Sequence, residues 1–411
     1  MNNGRREGRN NKRIILIIAE ILLLIVLIAV IVLTVASSGD NAYKSGEIAE
    51  STEEKTDAPA DANETQAILF FASDYQDEAG WPEPSETFSD VLDAVSANDI
   101  DLDGAVLCGD YSNEYGLWDY QISPDSAIEE LRSIIGDKYP SIKQEKILFV
   151  QGNHDALTDS ISDSGLHEFD DYLVYVLNTQ NDFPWSQGKT SGCLDKVKRS
   201  SKEMEQCLSE LIEAGETRPV IIAAHVPLHY SARTSSRHST GDNLYSSLIF
   251  DVVNEAAKSL DIIYLFGHNH SKGWDCYMGG SSVFKSAGDE LLIPRFAEHA
   301  VNTDEFSVET LNFTYFNAGY VGYYMNCGPN EVNNGTVDDY SAADETLTGT
   351  VCEIKTDEIV ISRYSSEGLH QLSSQGEANP YKNMIDTGLI GSDYYSTEKS
   401  SPISIERKNA A

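Results

Sequence analysis

Six short apolar runs in the middle of this chain each stop abruptly at polar residues. They are "AILFFASD", "GAVLCGD", "KILFVQGNHD", "YLVYVLN", "PVIIAAHVP" and "IIYLFGHNH". Each is of strand length and apolar throughout rather than alternating. Runs of that kind suit strands covered on both faces, as in a largely parallel sheet. Between them apolar residues recur at helical spacing: Phe88, Val91, Leu92 and Val95, then Ile128, Leu131, Ile134 and Ile135, then Leu244, Leu248, Val252 and Ala256. Strands alternating with amphipathic helices define an α/β fold.

The later part of the chain has another texture. "FSVETLNFTYFNAGYVGYYMN" and "GTVCEIKTDEIVISRYS" are rich in β-branched and aromatic residues, and "KTDE" inside the second reads as a hairpin turn. A second sheet is therefore expected to pack on the first. From Ser366 to Ala411 the sequence is polar and reads as an irregular tail.

The N-terminus constrains the address. Arg5, Arg6, Arg9, Lys12 and Arg13 form a basic segment, residues 1–13, before a nearly unbroken apolar run from Ile14 to Ala36. A span of about 20 apolar residues crosses a bilayer as a helix, whereas a cleavable signal has a shorter apolar core. Residues 14–36 read as an uncleaved anchor. The basic flank then stays in the cytoplasm and the rest of the chain lies outside. Glu20, the one ionisable residue in the run, sits near its cytoplasmic end. Residues 37–65 are acidic, small and without apolar periodicity, and read as a flexible stalk. The formal net charge of −37 disfavours nucleic-acid partners and means that a phosphate site needs its own local positive charge. The six cysteines include no CxxC pair, which disfavours a zinc ribbon, and Cys108 reads as a buried thiol.

Five of the six apolar runs end in groups able to hold a metal ion. They deliver Asp74 and Gln76, then Asp110, then Asn153 and His154, then His225, then His268 and His270. In open α/β sheets ligands gather at the carboxyl ends of strands. Mixed Asp, Asn and His donors suit divalent ions such as Zn, Fe or Mn. The glycines before Asp110, Asn153 and His268 allow tight turns beneath those residues.

The ordered elements Asp74-x-Gln76, Gly109-Asp110, Gly152-Asn153-His154-Asp155, His225 and Gly267-His268-Asn269-His270 resemble those of the calcineurin-like metallophosphoesterase superfamily. The resemblance covers about residues 66–365. It implies a two-sheet αββα sandwich and two divalent ions (Mn, Fe, Zn or Mg) sharing Asp110. One ion would take Asp74, Gln76, Asp110 and His270; the other would take Asp110, Asn153, His225 and His268. Such enzymes hold their ions roughly 3.5–4 Å apart and use a bridging hydroxide for in-line attack on phosphorus. His154 would act on the leaving oxygen as general acid or charge stabiliser.

Two departures stand out. Gln76 occupies the place of the superfamily's usual His, so the first site is expected to be looser or to prefer Mn or Mg. Gln76 orienting a water is the other reading of that position. Asn113 stands where phosphoprotein phosphatases carry an Asp and purple acid phosphatases a ligand Tyr, which argues against both subfamilies. Asn113 and His229, in "HVPLH", are candidate substrate contacts. Two insertions, Thr179 to Lys196 and Ser271 to Phe306, carry Trp185, Trp274 and Tyr277, candidates for a lid. The expected function is a membrane-anchored, externally facing hydrolase of a small phosphomonoester or phosphodiester. The alternative is an anchored binding module that keeps the fold without catalysis.

Overall fold

The first three apolar runs are strands lying side by side. β1 (Thr65–Ala72), β2 (Gly104–Leu107) and β3 (Ile147–Phe149) are all parallel. The end of the chain builds out the other edge of β1: β13 (Thr348–Lys355) pairs antiparallel with β1, and β14 (Glu358–Ser365) pairs antiparallel with β13. Their turn is Thr356-Asp357, inside the expected hairpin "KTDE". The other apolar runs enter a second sheet. Its order is β4 (Gly165–Glu168), β5 (Leu173–Leu177), β6 (Val220–Ala224), β7 (Ile262–Phe266), β11 (Thr314–Asn317), β8 (Phe284–Lys285), with β5, β6, β7 and β11 parallel. The computed structural model describes residues 63–76, 84–112, 123–178, 193–229, 245–268, 284–295, 306–321, 348–366, 368–369 and 402–409. All of them fall within one unit, Ala60–Ala411.

Why the runs are apolar throughout is now visible. Side chains alternate across a strand. Ala67, Leu69 and Phe71 of β1 point one way, into a core shared with Val174 and Val176 of β5, Ile221 and Ala223 of β6, and Ile263 and Leu265 of β7. Phe70 and Ala72 point the other way, against Phe88, Val91, Leu92 and Val95 of α1 (Pro84–Ser96) and Ile128, Leu131 and Ile135 of α2 (Pro124–Lys138). The outer face of the second sheet is covered by α3 (Cys193–Ala214) and α4 (Ser246–Ala256). Helices, sheet, sheet, helices is the expected sandwich. Ser123 starts α2 as its N-cap, its hydroxyl accepting from Ser126 N, followed by Pro124 in the first turn.

The structure corrects the sequence reading in four places. The inner stripe of α4 is Ile249, Phe250, Val253 and Ala256, while Leu248 and Val252 lie at its margin. Apolar residues stand at consecutive positions there, Leu248 to Phe250 and Val252-Val253, so spacing did not single out one face. α3 begins inside the stretch read as the first insertion. It is mostly polar, and Val197, Met204 and Leu208 mark its buried stripe. The second insertion contributes β8, β9 (Glu290–Pro294) and the start of β10 (Phe306–Thr310). β9 and β10 form an antiparallel ribbon that buries Leu291 and Ile293.

The fourth correction concerns the polar tail. β15 (Gly368–Leu369) and β16 (Ile403–Glu406) both pair with β14. Arg407 is buried and donates to Gln66 Oε1 (2.8 Å), Lys355 O (2.8 Å) and Thr217 O (2.7 Å), tying the two sheets together. The alternation Ile403, Ile405 in "ISIE" is the only signal of this strand, and it is two residues long. The anchor at 14–36 and most of the stalk lie outside the described residues. Among the described residues no helix is long and apolar enough to cross a membrane.

Candidate metal centre

The carboxyl ends of both sheets meet at one place because β1, β2 and β3 in one sheet and β5, β6 and β7 in the other present their ends together. The loops leaving them are held to one another by backbone bonds. Asp74 N donates to Gly109 O (2.9 Å), Gln76 N to Asp110 O (2.8 Å), and Gly267 N to His225 O (2.9 Å). These turns are sharp. Asp74, Gln76, Asp110 and His268 all have positive φ, at 57°, 41°, 58° and 68°. A left-handed backbone costs a non-glycine residue roughly 1–2 kcal/mol. Such strain persists where the surroundings over-determine it, typically at functional sites. Gly152 is required for space rather than for φ, since a Cβ there would overlap the Asp110 side chain.

His225 is the best-defined member. Its Nδ1 lies 2.6 Å from Cys108 O, which can only accept, so Nδ1 carries the hydrogen. Nε2 is then turned inward, 3.1 Å from Asp110 Oδ2 and 3.0 Å from Asn153 Oδ1. In the neutral ring all three atoms present lone pairs. Asp110, His225 and His268 place one donor atom each within 4.8 Å of one another, and all are buried. Gln76 approaches from the side, its Nε2 3.5 Å from Asp110 Oδ2. Its Oε1 is buried with no hydrogen-bond partner among the described residues. An orphaned buried carbonyl beside converging lone pairs fits a cation.

The electrostatics agree. Burial alone would push His225 down, yet Asp110 outweighs it and moves the imidazole up to about 9. A proton on Nε2 thus supplies the positive charge that a divalent ion would bring. Burial also opposes charge on Asp110, but His225 and His154 hold it well below the usual carboxylate range. Asp74 is fully buried, accepting from Ser73 Oγ (2.6 Å) and from His268 N (3.0 and 3.1 Å).

Of the expected residues, Asp74, Gln76, Asp110, Asn153, His225 and His268 come together here. His154 joins them through its backbone, with N donating to Asp110 Oδ1 at 2.8 Å and a side chain that is partly exposed. His270 and Asn113 lie outside the described residues, as do Trp185, Trp274 and Tyr277. His229 does not have the setting of a substrate contact. It is fully buried, with Nδ1 2.7 Å from Tyr315 Oη and its ring packed on Phe266 and Tyr315. Sequence reasoning left Asp155 without a role. Both its oxygens are engaged by backbone N–H groups of the Asp110 and Asn153 loops. Burial and the Asp110 charge push its carboxyl up to about 7, while these N–H groups pull the other way. The signal was the fourth letter of "GNHD", which chemistry alone does not distinguish from a turn residue.

Residues 69–272 match the family model of the calcineurin-like phosphoesterases. That span carries a calcineurin-like phosphoesterase domain, and the family binds two divalent metals. Similar solved structures include a dimetal phosphatase from Danio rerio, at 10% identity over 75% of this chain and 98% of that one, TM-score 0.43. Another is a purple acid phosphatase from yellow lupin seeds, at 12% identity over 73% of this chain and 52% of that one, TM-score 0.36. This chain thus spans about half the length of the lupin enzyme. A predicted phosphoesterase from Streptococcus pneumoniae is 12% identical over 74% of this chain and 92% of that one, TM-score 0.29. No curated protein matches the chain.

Gln76 gives the sharpest test of this centre. Gln76→Ala removes the orphaned oxygen and should weaken Mn binding at one site about tenfold, equal to about 1.4 kcal/mol. Gln76→His should shift preference from Mn toward Zn or Fe. Chelator competition measures both. Unchanged affinities in both variants would show that Gln76 is not a ligand.

Proposed function

We propose that this chain is a metal-dependent phosphoesterase acting on a small phosphomonoester or phosphodiester. The observation that carries the reading is that His225 Nε2 lies within hydrogen-bond distance of both Asp110 Oδ2 and Asn153 Oδ1, with the bare Gln76 carbonyl close by. Asp110 would serve both metal sites, with Asp74, Gln76 and His270 on one side and Asn153, His225 and His268 on the other. Divalent ions there would supply Lewis acidity and a nucleophilic water at neutral pH, and the positive charge that a chain of net charge −37 otherwise lacks.

The protein's own contribution is orientation and proton delivery. The Cys108 carbonyl fixes the tautomer of His225 and turns Nε2 inward. The His154 backbone is pinned to Asp110, and the residue stays partly exposed. His154 would pass a proton to the departing ester oxygen, and Asn113 would orient its ring.

The reading includes the address. Residues 14–36 would anchor the protein, with residues 1–13 in the cytoplasm and the catalytic domain outside the cell. The full-length protein should stay in the membrane pellet after an alkaline carbonate wash. A soluble mature form beginning near Ser37 would mean a cleaved signal instead.

A phosphate-release screen over small phosphate esters, with Mn, Zn, Fe and Mg compared, tests the activity. In that assay His154→Ala should keep its metal content and lose roughly 10²–10⁴ in kcat, the usual worth of a general acid. The loss should shrink for esters with good leaving groups, which need little protonation. An equal loss across leaving groups would assign His154 to charge stabilisation. Absence of turnover with every ion would favour the binding module.

A further inference from the structure

Taking the metal-dependent reading as its basis, we propose that Asp155 is the positioning residue of the centre. Its carboxylate locks the Asp110 loop to the Asn153–His154 loop and sets how the Asp110 carboxylate stands against the Asn153–His154 backbone. One oxygen, Oδ2, accepts from Asp110 N and Gly152 N, both at 2.8 Å. The other, Oδ1, accepts from Tyr111 N at 2.8 Å and Ser112 N at 3.2 Å. Three consecutive N–H groups, at residues 110–112, therefore close around one carboxylate. Successive N–H groups of this kind form an anion-binding nest. The nest needs the left-handed backbone found at Asp110, φ 58°.

The lock is reciprocal. Asp155, from the third strand's loop, accepts from the backbone of the second strand's loop. Asp110, from the second strand's loop, accepts at Oδ1 from His154 N at 2.8 Å. Gly152 leaves no slack between the loops, because a Cβ there would meet the Asp110 backbone N and side chain. A further bond holds the lock itself: Gln151 Nε2 donates to Asp155 O at 3.0 Å.

Asp155 is not itself a metal ligand. A carboxylate offers about four lone-pair sites, and four N–H donors fill them. The residue is 2% exposed, so no solvent-side approach remains. Its influence on a cation runs through Asp110 and Asn153.

Asp155→Asn keeps the size and removes half of the lock. Whichever way the amide turns, its NH₂ faces two N–H donors. Mn binding, followed by chelator competition, should weaken at least tenfold relative to the wild type. The comparison is made against a core variant of matched melting temperature, Leu208→Ala or Leu208→Met, which buries its change in the second sheet's helical face. An affinity equal to that of the matched control would overturn the proposal. Hydrogen exchange on the wild-type protein needs no variant. The amides of Tyr111 and His154 should show one common protection factor, since one lock holds both; protection factors differing by more than tenfold would show two independent loops. Neither readout requires turnover. If no phosphate ester is hydrolysed, the catalytic reading fails while these results still decide the role of Asp155.

Discussion

Three carboxylates, Asp74, Asp110 and Asp155, are buried at one end of the sandwich. Removing an ionised carboxylate from water costs several kcal/mol unless it is paired or well hydrogen-bonded. The fold meets this cost differently for each. Asp155 is wrapped by four backbone N–H groups. Asp74 takes a serine hydroxyl and a backbone N–H. Asp110 receives one backbone N–H on Oδ1, and its Oδ2 faces the inward nitrogen of His225. Beyond a long 3.5 Å contact from Gln76 Nε2, that last oxygen is satisfied by a proton on the imidazole or by a cation in its place. The requirement explains why His225 is pulled up to about 9 despite complete burial.

The rest of the architecture serves that meeting point. Parallel strands in two stacked sheets bring five loops to the same end, which antiparallel hairpins would scatter to both ends. Four non-glycine residues in left-handed conformations turn those loops sharply enough to converge. Their strain is offset by the inter-loop bonds from Asp74 N, Gln76 N and Gly267 N and by the sheet cores below. At the far end, Arg407 spans both sheets, so the scaffold is tied at the end opposite the loops.

Much of this was legible in the chain. The continuous apolar runs gave away the parallel strands, and Asp74, Gln76, Asp110, Asn153, His225 and His268, just past their ends, come together. α1 and α2 were readable because their apolar stripes are narrow and regular. Where apolar residues were adjacent, as in α4, or sparse, as in α3, the buried face could not be chosen from spacing. β16 was hidden because an edge strand exposed on one side needs only two apolar residues, Ile403 and Ile405. His229 misled because a histidine near a ligand resembles another ligand, whereas its surroundings are the aromatic core around Tyr315. Asp155 was missed for a different reason. Its partners are backbone N–H groups, which no side-chain motif records.

The central claim is that Asp110 lies between two divalent ions. Anomalous diffraction at the manganese edge, from crystals grown with Mn, tests it directly. The account predicts two peaks roughly 3.5–4 Å apart on either side of the Asp110 carboxylate. One should sit against Asn153, His225 and His268, the other against Asp74 and Gln76. Absence of any peak next to Asp110, with Mn held elsewhere or not at all, would contradict it.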